Sequence, residues 1–255
     1  MTPGSTVFLG AAAAVGGAIN SVAGGGSFIS FPALLFSGAS PVTANATNTV
    51  ALWPGSLASA IEYRHELRNS DAPLVALCAA SFIGGLAGSI LLLCTAEHTF
   101  VLLIPWLLAF ATLLFTFGQR LAKKLLRDRR APIGSIVAAQ SIVAIYGGYF
   151  GGGMGIMMLA LLTMCGISDV NRSNAIKNVL ATFINGIAVL AFLIAGAIDW
   201  GRGGIMIVGG IAGGYAGAAI ARRTDPRRVR AAVLGIAWAT STFFFVKTYA
   251  RWSPW

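Results

Sequence analysis

The sequence predicts an all-α polytopic membrane protein made of two inverted repeats. Each repeat is a broken, re-entrant-like helical hairpin followed by three transmembrane helices. Three observations carry this. First, 56% of the 255 residues are hydrophobic and only 10% are charged, against about 25% charged in soluble domains. Second, long uncharged runs succeed one another: Met1–Ile61, Ala72–Ala96, His98–Gln119, Ala131–Ser168, Asn178–Ile198, Gly203–Ala221 and Ala231–Val246. Most are long enough to cross a bilayer, where about 20 apolar residues suffice. Third, the chain is written twice. "GGGSFISFPALLFSGASPVTANATNTVAL" near the start is answered by "GGGMGIMMLALLTMCGISDVNRSNAIKNVLA" past the middle.

The repeat sets the elements in order. A shift of 129 residues pairs Gly24 with Gly153, Gly26 with Gly155, Asn45 with Asn174 and Ala46 with Ala175. The G-x-S elements, Gly38–Ser40 and Gly166–Ser168, are out by one residue, and "GGLAG" at Gly84–Gly88 matches "GGIAG" at Gly209–Gly213. The first repeat, residues 1–119, holds a hairpin over about 5–37 and helices over about 44–62, 72–95 and 99–119. A basic cytoplasmic linker follows over 120–131. The second repeat, 132–255, holds a hairpin over about 132–166 and helices over about 175–197, 203–221 and 230–250. The first segment lacks a basic leader and reads as a membrane segment, not a cleaved signal.

Charge orients the halves. If each half crosses the membrane an odd number of times, 15 of the 18 Lys and Arg residues fall on one side. They are Arg64, Arg68, the six from Arg120 to Arg130, Arg172, Lys177, and Arg222, Arg223, Arg227, Arg228 and Arg230. Only Arg202, Lys247 and Arg251 face the other. An even number of crossings leaves at best 11 against 7. Because basic loops stay in the cytoplasm, the halves are expected to be inverted, with both termini outside. The net charge of +10 therefore reflects loop placement, and no nucleic-acid partner is expected.

The glycine breaks carry the functional expectation. Phe28–Phe36 spans only about 14 Å as a helix, half a membrane. The N–H groups at its start, at the positive end of the helix dipole, would form an anion site. Irregular backbone at membrane depth survives only when buried in protein or lining a wet cavity. Two such breaks entering from opposite faces would make one site near the midplane, as in secondary transporters with broken helices. The candidate substrate-binding residues are Asn20, Ser21, Gly24, Gly25, Gly26, Ser27, Asn45 and Asn48 in the first half. In the second they are Gly151, Gly152, Gly153, Gly155, Asn174, Lys177 and Asn178. Alternatives stand beside them. Asn45, Thr47 and Asn48 also suit helix capping, and Lys177 either snorkels to the surface or faces a bound anion. The other glycine clusters, Gly16–Gly17, Gly84–Gly88 and Gly209–Gly217, read as helix-packing sites.

The missing groups narrow the chemistry. All eight acidic residues lie at or beyond predicted helix ends, whereas cation carriers and proton pumps place carboxylates inside the bundle. Cys78, Cys94 and Cys165 have no metal-ligand spacing, and His65 and His98 are far apart. No metal, cofactor or catalytic constellation is expected, so the chain is not read as an enzyme. A passive anion channel remains the alternative to a carrier. A non-transporting scaffold is weaker, because it gains nothing from matched polar breaks.

The doubled motif also resembles the TauE/SafE family of sulfite and organosulfonate transporters, over essentially the whole chain. Gly147, Gly148, Phe150, Gly151, Gly153, Gly155, Asp169, Asn174, Ala175, Lys177 and Asn178 carry it most specifically. In the first half Gly24, Gly25, Gly26, Pro32, Gly38, Pro41, Ala44 and Asn48 match best, with Thr47-Asn48 where many members have Thr-Ser. The resemblance implies a bacterial inner-membrane carrier of small sulfur oxyanions or sulfonates, usually exporting them. It leaves open the exact substrate, the coupling ion and whether the chain pairs as a homodimer.

Overall fold

The computed structural model describes residues 3–23, 25–62, 64–67, 73–125, 132–167, 169–221 and 226–250. Ten α-helices follow in order: α1 Pro3–Ala23, α2 Ser27–Phe36, α3 Pro41–Glu62, α4 Leu74–Cys94, α5 Glu97–Leu125, α6 Ile133–Tyr149, α7 Met154–Met164, α8 Val170–Ile194, α9 Trp200–Ala221 and α10 Pro226–Phe245. A 3₁₀ turn, Arg64–Leu67, precedes α4, and a π-helical turn, Val246–Ala250, extends α10. There is no strand among the described residues. Four segments there are long and apolar enough to cross a membrane: Leu74–Cys94, Glu97–Gly118, Asn171–Ile194 and Ala231–Ala250.

Proline sets many of the starts. Pro3, Pro41 and Pro226 open their helices, and Pro73 and Pro132 stand just before theirs. A proline there loses no N–H that the helix would use. Accordingly α3 begins at Pro41, not 44, and α8 at Val170, not 175. The Asp169 carboxylate caps α8 by accepting the Arg172 N–H at 2.7 Å. Helix α5 runs on to Leu125, so the linker expected from 120 begins as helix, and its remainder at 126–131 lies outside the described residues.

The short helices end alike. Gly38 and Gly166 have φ +85° and +81°, a conformation glycine adopts without steric cost. After each, the chain folds back: Ala39 N–H bonds Leu34 O and Gly38 N–H bonds Leu35 O, while Ile167 and Gly166 bond Leu162 and Thr163 likewise. This helix-terminating motif is what the G-x-S elements encode.

Small residues make the long seams. Helix α1 lies parallel on α9, with Gly209 opposite Gly10, Gly213 opposite Ala14 and Gly217 opposite Ala18. A Cβ on Gly213 would sit 1.8 Å from the Ala14 carbonyl oxygen. Helix α6 lies parallel on α4 in the same way, Gly84 over Ser141 and Gly88 over Ile145. The packing reading of these clusters therefore holds. Partners exchange between the halves: α3 lies on α9 as α8 lies on α4, α5 touches α7 as α10 touches α2, and α3 crosses α8.

Helices α3 and α8 run antiparallel. The Thr47 hydroxyl accepts the Asp199 N–H at 3.0 Å, past the end of α8. Further along α3, Trp53 Nε1 donates to Thr182 O at 3.2 Å, in mid-α8. These two residues are 129 apart, the same shift that aligns the two motifs in the sequence. One end of the bundle gathers the α2–α3, α4–α5 and α8–α9 connections. There Glu97 accepts the Val42 N–H at 3.0 Å, and Arg202 Nη2 donates to Ser37 O at 2.8 Å. At the other end Leu67 packs against the buried cluster that includes Ile167 of the α7–α8 turn.

Candidate functional site

The first break follows α1. A turn of 21 residues of helix, about 31 Å, brings the chain to residues 24–26, and α2 returns for only ten. Gly24 lies outside the described residues. Gly26 packs on α1 so closely that a Cβ would stand 2.1 Å from Gly16 O. Gly25 faces Phe115 of α5 and Val233 of α10, at 3.3 and 3.1 Å from its would-be Cβ. Glycine here permits close helix approach. The first-turn N–H groups are also partly engaged: Phe28 bonds Gly25 O, and Ile29 and Ser30 both bond Gly26 O.

Most polar groups around this break have partners, although Asn45 Oδ1 is buried without one. Asn48 Nδ2 donates to Ser27 Oγ at 3.3 Å, and Ser30 Oγ donates to Asn48 Oδ1 at 2.5 Å. Asn20 Nδ2 donates to Ser56 Oγ at 3.4 Å. Ser21 turns back on its own helix, donating to Ala18 O at 2.8 Å. Asn45 and Asn48 sit in the second turn of α3 and beyond, not at its start, so neither caps it. Asn45 instead donates to Tyr149 O at 3.0 Å, tying α3 to the second break.

The second break uses glycine differently. Gly151 and Gly153 have φ +75° and +77°. Gly152 presents its carbonyl to the Tyr146 hydroxyl at 2.6 Å, and Gly155 is buried in the first turn of α7. Neither short helix has a side-chain cap at its N-terminus. The two breaks meet through Phe31 and Phe150, whose rings stand edge to face at 5.5 Å. Helix α5 lies against both, Ala111 on Gly153 and Phe115 on Gly25.

On α8, Asn174, Lys177 and Asn178 share one face at i, i+3, i+4 spacing. Lys177 is 2% exposed and Asn178 3%. Asn174 Oδ1, Lys177 Nζ and Asn178 Nδ2 are buried with no hydrogen-bond partner. Among the described residues Lys177 is the only charged residue that is buried as a whole. Its ammonium is not at the protein surface, which the snorkelling alternative requires. One and two turns on, Ala181 and Ile184 belong to the same buried cluster as Met154 and Met158 of α7, and Ile184 covers Gly147 at the second break. A buried, unpaired ammonium is costly, and an anion is the partner that would relieve it.

Sequence reasoning missed Ser30, Ser56, Tyr146 and the Phe31–Phe150 contact. Ser30 had a usable signal, one helical turn after Ser27 on the same face. The aromatic contact had none, because it joins segments far apart in sequence. No group of three or more His, Cys, Asp or Glu side chains that could hold a metal occurs among the described residues.

Comparison with known proteins follows this geometry. A family profile described as "Sulfite exporter TauE/SafE" matches residues 9–244. A probable membrane transporter protein of Escherichia coli K12, YfcA, is 28% identical over 221 residues, covering 86% of this chain and 81% of its own length. A probable membrane transporter protein of Haemophilus influenzae is 28% identical over 201 residues, covering 78% of each chain. A third, ORF9 of a Sinorhizobium species, is 28% identical over 214 residues, 82% of this chain and 80% of its own. No solved structure matches significantly.

Proposed function

We propose, from the premise that this chain belongs to the sulfite exporter TauE/SafE family of membrane transporters, that it is a secondary carrier exporting a small sulfur oxyanion or sulfonate. The anion binds near the membrane midplane, beside the glycine breaks. The observation that carries this is the buried, unpartnered Lys177 ammonium, flanked by two unsatisfied asparagine atoms on the helix packed against the second break. Half-helix N-termini pointing at anionic groups are the recurrent arrangement in such carriers. Export fits a cation nearer the end of the bundle that the charge bias assigns to the cytoplasm.

The two halves, divided near the 120–131 segment, are inverted repeats in the inner membrane of a bacterium, with both termini outside. Support comes from the 15 to 3 split of basic residues, the antiparallel run of α3 and α8, and the exchange of packing partners between halves.

Purified protein reconstituted in liposomes tests the reading, with sulfite, sulfate, thiosulfate, taurine and sulfoacetate offered in turn. Saturable flux with counterflow is expected for at least one of them. Steady currents without trans-stimulation would establish a channel instead, and no flux of any anion would reject the proposal. Lys177→Gln is expected to weaken anion binding by about 1–3 kcal/mol, the scale of a charge-assisted hydrogen bond. Lys177→Arg should also impair it, because a guanidinium fork does not replace a compact ammonium in a tight site.

A further inference from the structure

The equivalent positions in the two halves differ in one respect. At the first break Asn48 has partners for both ends of its amide, Ser27 and Ser30. Its repeat equivalent is Lys177, which has none. Asn174 and Asn178 beside it also keep a buried polar atom without a partner. Polar atoms buried without hydrogen bonds are costly, and three on one helical face mark a place where a ligand completes the set. The first half keeps one such atom, Asn45 Oδ1, but no buried cation among its described residues, so it offers no such set. Two breaks therefore do not make two half-sites.

Charge sets a second limit. Lys177 is the one cation buried as a whole residue among the described residues, Arg172 on the same helix being partly exposed, and no carboxylate there is buried with it. Glu66, Glu97 and Asp169 are exposed, and Asp199 is engaged with Arg202 at one end of the bundle. A singly charged anion beside the Lys177 ammonium leaves the interior neutral. A doubly charged one brings an uncompensated negative charge to a depth where charge is expensive.

We propose that each chain binds one anion, on the Asn174–Lys177–Asn178 face of α8, and that the site takes a singly charged oxyanion in preference to a doubly charged one. This rests on the carrier reading above and specifies its site. Lys177 supplies the countercharge. The asparagine amides supply a donor and an acceptor, which suits an oxyanion carrying both oxygen acceptors and a hydroxyl or amino group.

Calorimetric titration of the purified full chain with methanesulfonate and with sulfate tests it. A stoichiometry of one is expected, with methanesulfonate bound at least tenfold more tightly than sulfate. Lys177→Gln should lose that preference and weaken methanesulfonate at least tenfold. Ser30→Ala, which breaks the satisfied first-half network, should leave the methanesulfonate Kd within twofold, its thermal unfolding confirming that the variant is folded. Two anions per chain, equal affinity for sulfate, or an equal loss in Ser30→Ala would each overturn the proposal while leaving anion carriage in place. Absence of binding by either anion, together with absence of flux for the whole liposome panel, would overturn both readings.

Discussion

Gly26 and Gly153 occupy matching breaks for different physical reasons. At Gly26 the backbone is right-handed, and the demand is space, because Gly16 O would stand 2.1 Å from any Cβ. At Gly153 the demand is conformation, φ +77°, where an L side chain costs about 1–2 kcal/mol. Gly153→Ala is expected to lower stability by about that amount. Gly26→Ala should cost more, since two backbones must separate to admit the methyl. Gly204→Ala is the control: nothing lies within 4 Å of its would-be Cβ, and no loss is expected. Thermal unfolding in detergent, followed by size-exclusion chromatography, reads all three. Equal behaviour of Gly26→Ala and Gly204→Ala would mean that α1 and α2 do not approach as described.

Between elements, the two parallel seams hold the halves to each other. Gly213 meets Ala14 O at 1.8 Å and Gly88 meets Ile145 O at 2.0 Å from their would-be Cβ atoms. Gly213→Val and Gly88→Val should each abolish folded protein in detergent extracts. Gly134→Val, at an open position in the first turn of α6, should not. The connection between α8 and α9 adds an electrostatic element. Partial burial pushes the Asp199 carboxyl up, but the Arg202 N–H and guanidinium, with the Gly201 N–H, outweigh it and hold the carboxyl below the usual carboxylate range. A depressed folded-state pKa contributes stability above the ordinary carboxylate pKa and loses it as pH falls through the lowered value. Thermal midpoints measured from neutral to acid pH should therefore fall less steeply for Asp199→Asn than for the parent. An unchanged acid limb would show that the Arg202 pairing adds nothing.

At the scale of the molecule, the arrangement turns on the α3–α8 crossing, where Trp53 Nε1 donates to Thr182 O. The charge bias predicts an orientation for the bundle, and labelling tests it. With Cys78, Cys94 and Cys165 replaced by serine, His98→Cys is expected to react with an impermeant maleimide added outside intact cells. Glu66→Cys, also exposed but beside the opposite end of the bundle, should react only after permeabilisation. Labelling of Glu66→Cys from outside would reverse the topology, and labelling of both from outside would exclude the inverted arrangement.

Composition and repetition by themselves determined that the chain is a helical membrane protein, where its short helices lie and which residues match across its halves. Those are local properties: apolar length, proline at helix starts, and glycine at Gly38, Gly166, Gly151 and Gly153, where the backbone demands it. The helices start at Pro41 and Val170, upstream of the expected 44 and 175, because Asn45 and Asn174 look like caps while Pro41 and the Asp169 carboxylate set the starts. Lys177 stood out in sequence as a charge inside an apolar helix, but the sequence left its ammonium free to reach the surface or to stay inside. Only tertiary structure decided that it is buried without a partner, that Asn48 is satisfied by Ser27 and Ser30, and that Gly26 serves packing. The physical reason is that burial and hydrogen-bond satisfaction depend on which distant segments surround a side chain. Repeat-equivalent residues with the same local pattern can therefore meet opposite environments.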